Sequence, residues 1–171
     1  MHKRALIEDL ARGDPDSLER ALVRILEERN SIHDLLPLLS CGEAPLEDAA
    51  ARLVDALASA DPSCLEPVSR RLTSIAGAVE RSTPRCLLAA ALPRLDLGRR
   101  EAARLAHVFE GWIAEGDETL KRAAMDAYVE LVPQCPRLAD RFRRLIEQRL
   151  AAGTPVATRH GVALLQRLRS F

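Results

Sequence analysis

Apolar residues recur along the chain at spacings of three and four. Leu18, Leu22 and Ile25 form one such set, Leu46, Ala50, Leu53 and Leu57 a second, and Leu120, Ala124, Ala127 and Leu131 a third. A period of 3.6 residues places each set on one side of a helix. Further stripes run through Leu65, Val68, Leu72 and Ile75, through Leu105, Val108, Phe109, Trp112 and Ile113, and through Leu138, Phe142, Leu145 and Ile146. They predict helices over 62–76, 98–115 and 136–152. A short helix is expected over 31–39, broken at Pro37, and an opening one over 2–12. Pro67 either kinks the 62–76 segment or marks its true start.

Helix-start signals recur between these stripes, at Asp14-Pro15, Ala44-Pro45, Thr83-Pro84, Asp117-Glu118 and Thr154-Pro155. Proline at the first helical position loses no hydrogen bond, because that N–H has no partner inside the helix. Asp or Thr just before it can accept from an orphan N–H of the first turn, and only Ala44 lacks such a side chain. The starts are separated by 30, 39, 34 and 37 residues, each gap holding two helices and a turn. Seven residues after each start stands a small residue: Ala21, Ala51, Ala90, Ala124 and Gly161. Glycines at 13, 42, 116 and 153 punctuate the units where a helix would end. The pattern predicts ten helices and no strand.

Composition agrees with this. Leu and Ala make up about a third of the chain, aromatics 3%, and glycines number 8. This is a helix-forming alphabet, poor in the β-branched and aromatic residues that strands favour. With 47% hydrophobic and 29% charged residues, disorder is excluded. The 171 residues are enough for one domain, 1–171, with its own core. The opening segment meets a charge every few positions, so no secretory leader is expected. No apolar run approaches the roughly 20 residues that span a bilayer, so no membrane partner is expected.

Helix pairs of this size, with proline heading the first helix and a small residue in its middle, resemble HEAT or armadillo-type repeats. The likeness covers about Asp14 to Phe171. The Asp–Val–Arg signature of regular HEAT units is missing and the period wanders, so the units are degenerate. The resemblance implies an all-α fold, a right-handed α–α superhelix (a HEAT-like solenoid) of about ten helices in four to five pairs. In such a body each unit buries its stripe against its neighbours. It also implies a concave side that holds an extended partner. The expected function is thus a non-enzymatic protein–protein interaction scaffold.

Little in the chain suggests catalysis. The cysteines at 41, 64, 86 and 135 form no C-x-x-C pair and read as mostly buried thiols in a reducing cytoplasm. His2, His33, His107 and His160 are scattered over four segments. His107 falls opposite the apolar face of its helix, with Glu110 three residues on. A His-x-x-Glu pair holds a metal only when a second helix completes the set, and no second copy exists. No H-E-x-x-H, phosphate-cradling glycine loop or nucleophile elbow occurs. No catalytic residue, metal or cofactor is expected. Trp112 is placed as a core anchor. A DNA-glycosylase family is also built from HEAT-like repeats, and its members hold damaged nucleotides with aromatic and acidic side chains. No residue set here maps onto that site.

Charge distribution carries the remaining signal. The net charge is zero, but residues 1–80 carry −6 and residues 81–171 carry +6. The basic set is 23 Arg and only 2 Lys. From Pro136 onward eight arginines face two carboxylates, Asp140 and Glu147. Arg137, Arg141 and Arg144, at i, i+4 and i+7, share one helix face, and Arg159 and Arg167 follow. These five are the expected partner-binding residues. Most such faces are simply solvated, but this one suits an anionic partner. Another protein is the first expectation. The alternative is a nucleic-acid-binding or DNA-repair protein using the same arginines.

Overall fold

A computed structural model of the chain describes residues 2–151 and 155–168. Among them are ten α-helices and no strand. The helices are α1 (His2–Arg12), α2 (Pro15–Glu27), α3 (Ile32–Leu35), α4 (Ala44–Ala60) and α5 (Ser69–Ala78), then α6 (Ser82–Ala91), α7 (Gly98–Glu115), α8 (Glu118–Glu130), α9 (Leu138–Ala151) and α10 (Pro155–Leu168). Short 3₁₀ segments at 29–31, 36–40, 62–68 and 92–94 fill several connections. The 62–68 segment answers the question set by Pro67: the α-helix begins two residues after it, at Ser69. None of the described helices is long and apolar enough to cross a membrane.

Two of the expected caps form as expected. The Ser17 amide donates to Asp14 Oδ1 at 2.8 Å, and the Leu120 amide donates to Asp117 Oδ1 at 2.8 Å. Each satisfies an N–H that the helix itself cannot. Thr154 lies outside the described residues. The start at Thr83 is displaced: α6 begins at Ser82 with Arg81 in the cap position, so Pro84 stands third. All of the first N–H groups lack helical partners, so proline is tolerated there as well as at the first position. The guanidinium of Arg81 makes no cap; it donates to both carboxylate oxygens of Asp48, at 2.7 and 3.1 Å, and to the Ala44 carbonyl at 2.8 Å. These bonds tie the head of α6 to the head of α4.

One member of the small-residue register is also overturned. Ala21, Ala51 and Ala124 are fully buried, and Gly161 is buried too. Ala90 is exposed, and Ala89 and Ala91 are buried in its place. The expected burial of the four cysteines also holds only in part: Cys64 and Cys135 are buried, Cys86 is half-buried and Cys41 is exposed, all as free thiols.

The chain packs as two compact units, 1–96 and 97–171. In the first, α4 is the central helix. It meets α1, α2, α6 and the 3₁₀ segments at 36–40 and 62–68. Its buried positions include Leu46, Ala49, Ala50, Ala51, Leu53, Val54, Leu57 and Ala58, far more than one stripe. The three consecutive alanines leave room for neighbours on different sides. Polar ties fix the periphery: Asp9 on α1 accepts from Arg24 at 2.8 Å and from Arg20 at 3.4 Å on α2.

In the second unit α8 plays the same part, meeting α7, α9 and α10. Leu120, Ala124, Met125, Ala127, Tyr128 and Val129 are its buried residues. Trp112 is 4% exposed and stacks obliquely on Phe109 with ring centroids 5.3 Å apart, the core anchor expected of it. A Cβ added at Gly161 of α10 would stand 2.9 Å from Ile146 Cγ2 of α9, so glycine permits that contact.

Two outcomes follow. Ala124→Leu overpacks the fully buried flank of α8 and lowers stability by about 1–3 kcal/mol, whereas Ala90→Leu on exposed surface changes it by less than about 0.5 kcal/mol; thermal melting of both variants checks this. Hydrogen bonds from the Ser17 hydroxyl and amide hold the Asp14 carboxyl below its ordinary pKa. Its contribution is therefore present above the ordinary carboxylate range and disappears as pH falls through the lower, folded-state value. Asp14→Ala should lower the melting temperature at pH 7, and the gap should close on acidification.

Candidate anion-binding cleft

The second unit carries a cleft of about 660 Å³ between the start of α7 and the α8–α9 connection. Arg99, Arg100 and Ala103 line it from α7, Cys135, Pro136 and Arg137 from the connection, and Leu138 and Arg141 from α9. The two sides are joined by the Leu97 amide, which donates to the Gln134 side chain at 2.9 Å. Gly98 turns the chain into α7 with φ of +66°, a left-handed conformation that side chains other than glycine disfavour. The floor is apolar, with Leu138 and Cys135 buried. Four of its eight lining residues are arginines, and no carboxylate lines the cleft.

One of the four arginines is held in place. Arg141 sets its fork against Glu110 of α7, with Nε on Oε1 and Nη2 donating to Oε2 at 2.6 Å. Glu110 also accepts from the Tyr128 hydroxyl of α8 at 3.1 Å, and His107 Nδ1 lies 3.4 Å from it. One carboxylate thus joins three helices. The Glu110 side chain is 17% exposed and that of Arg141 47%, so the carboxylate is the sheltered partner and the guanidinium reaches the surface. Tyr128 is fully buried against Phe142, ring centroids 5.1 Å apart. Burial and the Glu110 charge push its phenol well above its ordinary pKa.

The other three, Arg99, Arg100 and Arg137, are exposed and make no ion pair or side-chain hydrogen bond with the described residues. Leu97 caps α7 without a side-chain hydrogen bond, so the positive end of that 18-residue helix adds to their field. Four fixed or mobile guanidinium forks around an apolar floor can bind an anion, preferably one with several acceptor oxygens.

Of the five arginines expected to bind a partner, Arg137 and Arg141 line the cleft. Arg144 is exposed on α9 and donates to the Asp140 carbonyl at 3.3 Å, outside the lining. Arg159 is exposed on α10, and Arg167 of the same helix faces Glu130 of α8 at 3.5 Å. Arg99 and Arg100 were not among the expected residues. The Gly98-Arg99-Arg100 run at a helix start was their signal, but what it faces is set by tertiary packing. His107 is exposed as expected, and His160 bonds Asp126 at 2.9 Å. Among the described residues no three His, Cys, Asp or Glu side chains cluster as a metal site would require. Phe109, Trp112, Tyr128 and Phe142 are all buried, which leaves them unavailable for stacking on a nucleotide.

No protein-family model matches the chain, and comparisons with curated proteins and with solved structures also return no match.

Tyr128 is the one tyrosine of the sequence, so its ionisation can be followed directly at about 295 nm. A raised folded-state pKa favours the neutral phenol, so its stabilising effect is complete below the unfolded value of about 10 and is lost above it. The expected result is no tyrosinate signal up to about pH 10, then ionisation coincident with loss of helical ellipticity. A tyrosinate signal before that loss would contradict the burial of the Tyr128–Glu110 pair.

Proposed function

We propose that the chain is a non-enzymatic, HEAT-like helical-repeat module that binds another protein in the cytoplasm, and that the arginine cleft receives an acidic segment of that partner. The observation that carries the reading is the concentration of positive charge: three arginines without a counter-ion among the described residues, and a fourth aimed by Glu110, around one cleft with no carboxylate in its lining. The repeat reading is supported within each unit by the stacking of successive first helices, α2 on α4 and α4 on α6 in one, α8 on α10 in the other. Buried small residues at Ala21, Ala51, Ala124 and Gly161 support it too. Four free thiols accord with a reducing compartment.

Polar recognition also suits the remaining surface. Val23 and Val162 are the large hydrophobic residues exposed among those described, and they stand singly. A nucleic-acid binder would draw on the same arginines, but it would need a run of uncompensated charge along a phosphate backbone. Outside the cleft Arg167, one of the expected residues, is engaged by Glu130 at 3.5 Å, and the neighbouring Arg143 by Asp140 at 2.8 Å. A compact acidic segment is therefore the better match.

Fluorescence anisotropy with a labelled octaglutamate peptide tests this. Binding is expected at about 50 mM salt, weakening towards 200 mM, and Arg99→Glu combined with Arg137→Glu should weaken it at least tenfold with the helical ellipticity unchanged. A 20-base-pair duplex bound more tightly than the peptide, or peptide binding indifferent to the double charge reversal, would overturn the proposal.

A further inference from the structure

We infer that the group the cleft is built to hold is a phosphomonoester dianion carried on an extended peptide, a phosphoserine or phosphothreonine side chain rather than a carboxylate. This rests on the reading of the cleft as a docking site for a protein partner and narrows its chemistry. The argument begins with a count of charges and donors. A carboxylate offers one negative charge and two oxygens, which a single guanidinium fork satisfies, as Glu110 already does for Arg141. The cleft presents three further forks, those of Arg99, Arg100 and Arg137, none engaged by a described residue. One carboxylate would leave two of them uncompensated. A phosphomonoester carries close to two charges at neutral pH and three acceptor oxygens, so it can engage several forks at once.

The placement of the arginines points the same way. They come from two independent segments, Arg99 and Arg100 from the first turn of α7, Arg137 and Arg141 from the connection and first turn of α9. Charges on opposite walls of a cleft converge on a ligand between them, whereas charges along one helix face would lie side by side. The first turn of α7 adds amide N–H groups that no side chain caps. Beside the arginines the lining is apolar, Ala103, Cys135, Pro136 and Leu138, with Leu138 and Cys135 buried. An apolar floor beside a polyvalent anion site suits a peptide, which brings a hydrocarbon side chain next to its phosphate. It does not suit a free inorganic ion. A nucleic-acid phosphate is a diester with a single charge, and its neighbours lie along a strand instead of in one cleft.

In this arrangement Glu110 is a positioning residue. It touches no part of the ligand, but its two oxygens fix the plane of the Arg141 fork, and its third contact, from Tyr128, fixes Glu110. Arg99 and Arg100 are free to close on the phosphate from α7, and Arg137 from the same side as Arg141.

The test uses the full chain and labelled peptides of one neutral sequence, Gly-Ala-Leu-X-Ala-Gly-Gly, with X as phosphoserine, glutamate or serine. Anisotropy is measured at about 100 mM salt, with octaglutamate and a 20-nucleotide single strand as further probes. The phosphoserine peptide is expected to bind at least tenfold more tightly than the glutamate peptide, and the serine peptide not at all. Arg99→Gln with Arg137→Gln should remove at least nine-tenths of that affinity, while Arg143→Gln, outside the cleft, leaves it unchanged. Because the second phosphate ionisation lies near pH 6, affinity for the phosphopeptide should fall as pH drops from 7 to 5, while that for the glutamate peptide does not. Glutamate and phosphoserine peptides bound equally would overturn the dianion inference and leave the acidic-partner reading standing. Failure of every probe, octaglutamate included, would remove both. A single strand bound more tightly than the phosphopeptide would replace the monoester by a diester, and phosphopeptide binding indifferent to the cleft variant would place the site elsewhere.

Discussion

The constraint on which both units depend is close approach between helices. A helix can be enclosed by neighbours on several sides only if the side chains in between are short. In the first unit Ala49, Ala50 and Ala51 meet that need on three successive bearings of α4, so that α1, α2 and α6 can all pack on it. In the second, Ala124 and Ala127 on α8 and Gly161 on α10 do the same. The leucines between them then close the core, and each fully buried one contributes roughly 1.5–3 kcal/mol. Packing of this kind resists both enlargement and truncation, because the interior has no space to absorb either.

Close packing also determines where polar groups can go. A carboxylate near the centre of such a unit must find several partners, or its burial costs more than it returns. Glu110 finds the Arg141 fork and the Tyr128 hydroxyl, and its position at a three-helix junction makes both reachable. Glu101 is the contrasting case: one of its buried oxygens has no hydrogen-bond partner, and Arg104 lies 3.6 Å from the other. The satisfied carboxylate is outside the cleft lining and bonds one of its arginines. By helical spacing, the unsatisfied one stands on the far side of the α7 first turn from Arg99 and Ala103.

What the sequence made legible follows the range over which each signal acts. Helix existence and type rest on local periodicity, and most helices appear close to their expected ranges; the exceptions contain proline, the 31–39 segment being α-helical only over Ile32–Leu35 and the 62–76 segment only from Ser69. Caps are also local, so Asp14 and Asp117 are found where expected. The displaced start at Ser82 is not local: Arg81 bonds Asp48, more than thirty positions earlier in the chain, and the exposure of Ala90 is likewise set by how α6 packs on α4. The cleft divides in the same way. Arg137 and Arg141 were expected on one helix face; α9 begins at Leu138, so Arg137 stands just before it in the connection. Their alignment with Arg99 and Arg100 depends on the Leu97–Gln134 bond and on how α7 meets the α8–α9 connection, which no spacing rule encodes.

The charge asymmetry gains a physical meaning from this geometry. The second unit carries thirteen basic and nine acidic residues. If every carboxylate sat beside an arginine, the excess would be diffuse. Instead Asp140 and Glu130 neutralise arginines outside the cleft, Glu110 neutralises one of the four that line it, and the other three are left together. Guanidinium groups gathered at one cleft repel one another wherever they lie within a Debye length, and salt screens this in part. An anion bound between the walls removes the repulsion and adds its own attraction. Such an anion binds the folded chain and not the unfolded one, so occupancy of the cleft and stability of the second unit are linked. A local departure from electrostatic balance that the fold must otherwise offset is the kind of feature that a binding site explains.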